Sequence, residues 1–339
     1  MTLLRVAVVG AGYWGPNLIR NFHKLGNCQL VAVADLDPKA LNGIKRSYGS
    51  VETTTDAGSL LTRPDIDAVA IATPPHTHYQ LARKALENGK HVLIEKPLTD
   101  STADAEELVK LAEKTKRTLM VDHTFVYSGP VRKIRGMVDS NELGEIWYLD
   151  SVRIDLGLFT NDTNVVWDLA PHDLSIMGYL LDARPVEVSA TGASPVKYFD
   201  GKVESIAYIT VRLDNGCITH FHLSWLSPVK IRRILIGGSK KMLVYDHLDP
   251  DHQVVIYDKG VDITSEEERR RFLVQRRTGD MYAPKIDQTE PLETMCKHFV
   301  ECALTGKRPI TDGVSGLNVV RLIEATMESM RLGGAVVAL

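Results

Sequence analysis

The sequence predicts two fold classes in succession: a doubly wound α/β half, then an α+β half built on a largely antiparallel open sheet. Three observations predict it. Up to about Asp122, short apolar runs alternate with helical patterns. Beyond about residue 145, strand-like runs follow one another with almost no helix between them. And Gly10-Ala11-Gly12-Tyr13-Trp14-Gly15 stands where the first strand meets the first helix. At 339 residues the chain is long for one compact domain and comfortable for two. The division is expected near residue 122, giving 1–122 and 123–339.

In the first half the strand candidates are Arg5–Val9, Leu30–Ala34, Ala68–Ala72, His91–Ile94 and Leu119–Val121. They are apolar at nearly every residue, as parallel strands covered on both faces must be. Asn17–Leu25, His78–Asn88 and Ala103–Lys114 carry helical spacing. Gly89 is suited to end the second of these helices, and Ser101 with Asp104 to start the third. This β-α alternation implies right-handed crossovers onto one sheet.

In the second half Ile146–Ile154, Val186–Ala190, Ser205–Leu213, Cys217–Trp225, Ile231–Ile236, Met242–Tyr245 and Gln253–Ile256 read as strands. Asp214-Asn215-Gly216 is tight-hairpin chemistry, and Gly237-Gly238 marks a further turn. One helix is expected over Pro171–Leu181, and two more, about Leu292–Leu304 and Gly316–Met330, near the end. The last of these is expected to return to the first domain. Asp258–Gln288 is polar and crowded with charge and reads as a long loop. An open sheet face would expose Ile231–Ile236, so a homodimer or homotetramer through that sheet is expected.

The composition narrows the partners. A formal charge of −3 gives no global reason to expect nucleic acid or an anionic membrane. No stretch offers the roughly 20 apolar residues of a membrane-spanning helix. The chain runs straight into a strand pattern with no leader, so a cytoplasmic protein is expected. Cys28, Cys217, Cys296 and Cys302 are scattered and read as reduced thiols. No metal site is expected, because paired Cys/His ligands at suitable spacing are missing.

The glycine segment has a mechanism. Gly10 permits a tight turn, Gly12 lets a pyrophosphate approach the backbone, and Gly15 lets the helix pack close on the sheet. The helix N-terminus adds free N–H groups and positive dipole. Asp35 ends the second strand, 20 residues after Gly15, where a carboxylate bonds ribose hydroxyls and repels the extra phosphate of NADP. NAD is therefore the expected cofactor of a Rossmann domain. Lys39 and Arg46 lie close enough in sequence to leave NADP open. Tyr13 and Trp14 either cover the pyrophosphate or pack under the sheet.

Two later segments carry chemistry. The first is Ala72-Thr73-Pro74-Pro75-His76-Thr77-His78 with His91-Val92-Leu93-Ile94-Glu95-Lys96-Pro97-Leu98. Lys96 closes a buried strand on the carboxyl edge, where ligands of such sheets bind; its plainer reading is an ion pair with Glu95. The second is Trp167-Asp168-Leu169-Ala170-Pro171-His172-Asp173. Asp168 and His172, four apart, share one face of a helix. A carboxylate beside an imidazole suits a general base, while the plainer reading is a capping aspartate and a core histidine.

Together with the glycine segment, these motifs resemble the glucose–fructose oxidoreductase and inositol dehydrogenase family, Gfo/Idh/MocA, over essentially the whole chain. The resemblance implies an NAD-dependent oxidoreductase acting on sugar-like secondary alcohols. It implies that His172 is the general base, that Lys96 assists at the substrate oxygen, and that Asp168 orients and relays. Thr73, Pro74, His78 and Glu95 would lie along the cofactor with Lys96, and Phe125 and Tyr127 would face the substrate. At His123-Thr124-Phe125-Val126-Tyr127 the sequence departs from the Asn- or Arg-containing stretch common in the family. The opening Gly-Tyr-Trp-Gly-Pro-Asn-Leu and the compact Trp167–Asp173 segment are more similar to amino-sugar nucleotide dehydrogenases, implying a nucleotide-linked sugar oxidised at its 3-position. A basic cluster of Arg269, Arg270, Arg271, Arg276 and Arg277 would suit an anionic substrate or form a solvated face. The alternatives are an inositol or free-sugar dehydrogenase and, from another class, an NAD- or sugar-sensing protein without turnover.

Overall fold

The computed structural model describes residues 3–157, 163–196, 203–262 and 275–339. The chain forms two compact units: Met1–Tyr127 with Thr289–Arg321, and Ser128–Gln288 with Leu322–Leu339. A single crossing at residue 122 does not describe this. The chain re-enters the first unit at Thr289, and the final helix, Gly313–Arg331, begins in one unit and ends in the other.

The first unit is a six-stranded, all-parallel sheet: β1 (Leu4–Val9), β2 (Cys28–Ala34), β3 (Glu52–Thr54), β4 (Ala68–Ile71), β5 (His91–Glu95) and β6 (Leu119–Asp122). Their order is β3-β2-β1-β4-β5-β6, so the direction of winding reverses between β1 and β4. In such sheets ligands bind at the carboxyl ends beside that reversal. The crossovers carry α1 (Gly15–Lys24), α2 (Pro38–Ser47), α3 (Ala57–Leu60), α4 (His78–Glu87) and α5 (Thr102–Thr115). Ser101 caps α5 by accepting from the Asp104 N–H, and Gly89, at φ +72°, follows α4. Pattern reading passed over α2 and β3 for a physical reason. The buried stripe of α2 shrinks to Leu41 and Ile44, and β3 is three residues long with none fully buried.

The second unit opens with α6 (Gly129–Asp139) and centres on a sheet ordered β14-β13-β12-β11-β7-β10-β9-β8, flanked by the short final strand Val337–Ala338. Its strands are β7 (Ile146–Leu156), β8 (Pro185–Ala193), β9 (Ile206–Leu213), β10 (Ile218–Ser224), β11 (Leu226–Gly238), β12 (Met242–Asp246), β13 (Val254–Asp262) and β14 (Gln275–Tyr282). All pairings are antiparallel except β7 with β10. The β9–β10 hairpin turns at Gly216, whose φ of +87° only glycine adopts freely. One face, bearing Leu149, Phe221, Leu223, Ile209 and Val211, is buried, and α7 (Val165–Leu180) packs on these strands.

Four expectations are corrected here. Helix α7 starts at Val165, six residues ahead of the expected Pro171, because Asn164 Oδ1 accepts the N–H groups of Val166 and Trp167 and caps it. Asp258–Gln288 is not one loop: its start completes β13, and β14 follows, a polar strand without an apolar alternation to betray it. Gly237 and Gly238 lie at the end of β11, not in a turn; a Cβ on Gly237 would sit 2.0 Å from the Tyr148 ring. Ile231–Ile236 is not an exposed apolar run, since Ile234 and Ile236 point into the core. The opposite face carries Tyr208, stacked on His222 at 4.5 Å between ring centroids. No helix among the described residues is long and apolar enough to cross a membrane, and all four cysteines are free and buried. Arg269, Arg270 and Arg271 lie outside the described residues; Arg276 and Arg277 are on β14, where Arg277 pairs with Asp258.

Candidate active site

The glycine loop leaves β1 on the carboxyl edge of the first unit. Gly10 has φ +100°, and a Cβ there would lie 2.5 Å from the Ala72 carbonyl oxygen. A Cβ on Gly15 would lie 2.0 Å from the Gly10 oxygen, so these two glycines are demanded by packing. Gly12 is different: a Cβ there meets nothing within 4 Å. Its bareness leaves the backbone open to a ligand, and α1 has no acidic residue in its first turn to cancel its dipole. At the end of β2, Asp35 accepts from the Ala11 N–H at 2.5 Å and from the Asp37 N–H at 2.7 Å. Those bonds fix the carboxylate beside the loop and leave lone pairs for two ribose hydroxyls. The residues present therefore fit NAD. NAD is expected to bind at least about tenfold tighter than NADP, roughly 1.4 kcal/mol. Titration of both cofactors checks this, and Asp35→Ala is expected to narrow the gap. Equal wild-type affinities would move the selectivity to Lys39 and Arg46.

At the end of β4, Thr73 shares a hydroxyl hydrogen bond with Thr77 at 2.6 Å, while Pro74 and His76 are exposed. His78, expected along the cofactor, is held inside the first unit. It is wholly buried, and its ring nitrogens sit 2.8 Å from the carbonyl oxygens of Pro97 and Thr73. It bolts the loop after β4 to the loop after β5, and burial holds its pKa down. Glu95 ends β5 and Lys96 follows, joined to Pro97 by a cis peptide bond. Tyr127, expected at the substrate, is buried, and its hydroxyl bonds His298 at 3.0 Å and Thr311 at 3.3 Å. Phe125 remains half-buried, and Tyr13 is 96% exposed.

Pattern reading missed one group on this edge. Asp122 ends β6 in register with Glu95. It accepts from the Trp14 indole N–H at 2.8 Å and from the Thr124 hydroxyl, and the Glu95 carboxyl bonds it as well. The sequence signal was a buried-strand ending of two acids, Glu95 and Asp122, on what proves to be a pair of neighbouring strands. Next to it, His123 is buried, and burial with the nearby Lys96 charge pushes its pKa down to about 3.

In the second unit, α7 carries Asp168 and His172 one turn apart, so the expected shared face exists. Asp168 is not the helix cap, a role Asn164 fills. Its Oδ2 accepts from the Trp225 indole N–H at 3.1 Å. The following residue, Asp173, is locked into a buried two-bond pair with Arg153 of β7, both contacts 2.8 Å. That pair pins the helix segment carrying His172 to the sheet.

Comparison with known proteins agrees with this architecture. Residues 4–123 match the oxidoreductase family with an NAD-binding Rossmann fold, GFO_IDH_MocA, and residues 131–244 match the GFO/IDH/MocA C-terminal domain. The chain is 26% identical to scyllo-inositol 2-dehydrogenase (NAD(+)) of Bacillus subtilis, over 97% of this chain and 95% of that one. Its fold is shared by UDP-N-acetylglucosamine 3-dehydrogenase GnnA of Acidithiobacillus ferrooxidans, at TM-score 0.81 and 23% identity, over 98% and 99% of the two chains. It is shared also by an Agrobacterium radiobacter oxidoreductase solved with NAD+, L-tartaric acid and magnesium, at TM-score 0.81 and 21% identity, over 99% and 98%. The chain thus belongs to the Gfo/Idh/MocA family of NAD-binding oxidoreductases, dehydrogenases acting on CH–OH groups.

Proposed function

We propose that this enzyme moves a hydride between NAD and a ring secondary alcohol of a nucleotide-linked sugar, at a carbon such as the 3-position. The observation that carries the reading is the placement of Lys96. It follows β5 on the same carboxyl edge, and in the same unit, as the glycine loop and Asp35. When bound, the nicotinamide supplies the hydride acceptor or donor. The chain's own residues handle the proton. His172 takes it from the hydroxyl that becomes a carbonyl, Lys96 steadies the charge on that oxygen, and Asp168, held by Trp225, orients His172 and relays its proton. Thr73, Pro74, Glu95 and Phe125 belong to the proposed cofactor and substrate surroundings.

The similarity to GnnA over nearly the whole chain supports a sugar nucleotide as substrate. The identity with scyllo-inositol 2-dehydrogenase favours a second reading, an inositol or free-sugar dehydrogenase. Following NADH formation with a panel of UDP-sugars, inositols and free aldoses separates them. A UDP-amino-sugar is expected to give the highest kcat/KM. Turnover confined to inositols would establish the second reading, and NAD binding without turnover of any polyol would leave a sensing protein. A cytoplasmic homo-oligomer assembled through the exposed sheet face is part of the same proposal.

A further inference from the structure

Asp122 gathers three elements of the first unit that are far apart in sequence. Trp14 opens α1, Glu95 ends β5, and Thr124 follows β6; all three bond the Asp122 carboxyl group. In the sheet order β4 and β5 lie between β1 and β6, so the Trp14 side chain crosses the carboxyl edge to reach its acceptor. Asp122 is 2% exposed. Two carboxyl groups in mutual hydrogen bond, Asp122 buried and Glu95 half-buried, need a proton between them, because two like charges at that distance cannot both persist. Burial pushes Asp122 upward as well, but the hydroxyl and indole it accepts from favour its charged form, so it is the ionised member, and Glu95 keeps the proton and donates. Burial and the Asp122 charge both push the Glu95 carboxyl well above the usual carboxylate range. The other titratable groups that face the pair among the described residues are neutral or cationic. His123 is pushed down to about 3, burial keeps Cys296 a thiol and Tyr127 a phenol, and the Lys96 charge acts on Glu95.

We propose that Asp122 is a positioning residue with two separable effects. Its hydrogen bond to Trp14 fixes the glycine loop, and the single negative charge it shares with Glu95 favours the positively charged, oxidised nicotinamide over the neutral, reduced one. The inference rests on the NAD-binding assignment. It concerns which redox form the protein holds more tightly, not the alcohol it acts on. NAD+ and NADH differ by one charge on the nicotinamide ring, so a fixed anion on the carboxyl edge acts on that difference and a purely mechanical brace does not.

Binding of NAD+ and of NADH to the substrate-free protein, measured by calorimetry, tests it. Asp122→Asn combined with Glu95→Gln keeps both sizes and an acceptor for Trp14 and leaves neither carboxyl group to carry the charge. It is expected to weaken NAD+ by roughly three- to tenfold relative to NADH. Trp14→Phe removes the tether and keeps the charge. It is expected to weaken both forms together and leave their ratio at the wild-type value. An Asp122→Asn/Glu95→Gln protein in which both forms move equally, or neither moves, would overturn the proposal, and so would a shifted ratio in Trp14→Phe. The second variant lies at a half-buried position and serves if the first does not fold. Wild-type protein that binds neither form would overturn this inference and the cofactor assignment together.

Discussion

His172→Ala and Lys96→Met are each expected to cut turnover by about 10²–10⁴-fold while NAD still binds, the usual worth of a positioned proton-transfer group. Hydride cannot leave a secondary alcohol carbon unless the hydroxyl loses its proton, and water near neutral pH is a poor base for that step. An imidazole held by a carboxylate is a good one. If both residues act on the same oxygen in one transition state, their losses do not multiply: the double variant falls little below the worse single one. Asp168→Asn is expected to lose less and to shift the pH–rate profile if Asp168 orients His172 as proposed, while it also alters the acceptor of Trp225. Single-turnover rates at saturating NAD measure all four. Near-wild-type turnover in either single variant removes that residue from the mechanism.

Asp173→Asn is expected to destabilise the second unit by about 3–5 kcal/mol, because it leaves the Arg153 guanidinium buried without its counter-charge. Both side chains are more than nine-tenths buried, so water cannot compensate. Replacing both members with apolar residues of similar volume, Arg153→Met with Asp173→Leu, is expected to recover most of that loss, since the desolvation cost of two charges disappears with them. Urea unfolding of the three proteins checks it. A loss under about 1 kcal/mol in Asp173→Asn would mean that the pair is solvated in a way the geometry does not show. The same variant is expected to lower activity beyond its effect on stability, because Asp173 follows His172 on α7.

The parts of this protein that were legible in the sequence are those whose cause is local. The glycine loop is legible because two of its glycines answer clashes a few atoms away, Gly10 against Ala72 and Gly15 against Gly10. Strands β4 to β6 are legible because the middle of a parallel strand buried on both faces is filled by apolar residues, with polar ones kept to its ends. Where the cause is distant, pattern reading slipped. Pro171 resembles a first-turn proline, yet it lies inside α7, and the start of the helix is set by Asn164. His78 and Tyr127 stand at strand ends like ligand contacts, but their partners, Pro97 and His298, are 19 and 171 residues away. Asp122 went unread for the same reason: Trp14, the donor that defines it, is 108 residues upstream. The polar strand β14 left no period to detect, because its pairing with β13 is made by backbone.

The most direct test of the central claim follows the hydride itself. A UDP-amino-sugar carrying deuterium on ring carbon 3 is incubated with the enzyme and NAD, and the reduced cofactor and the sugar are examined by mass spectrometry and NMR. Direct transfer predicts one deuterium at C4 of the nicotinamide, on a single face, with a ketone at the sugar carbon that lost it. Reduced cofactor without the label, or a labelled sugar returned unchanged while another polyol is oxidised, would contradict the account.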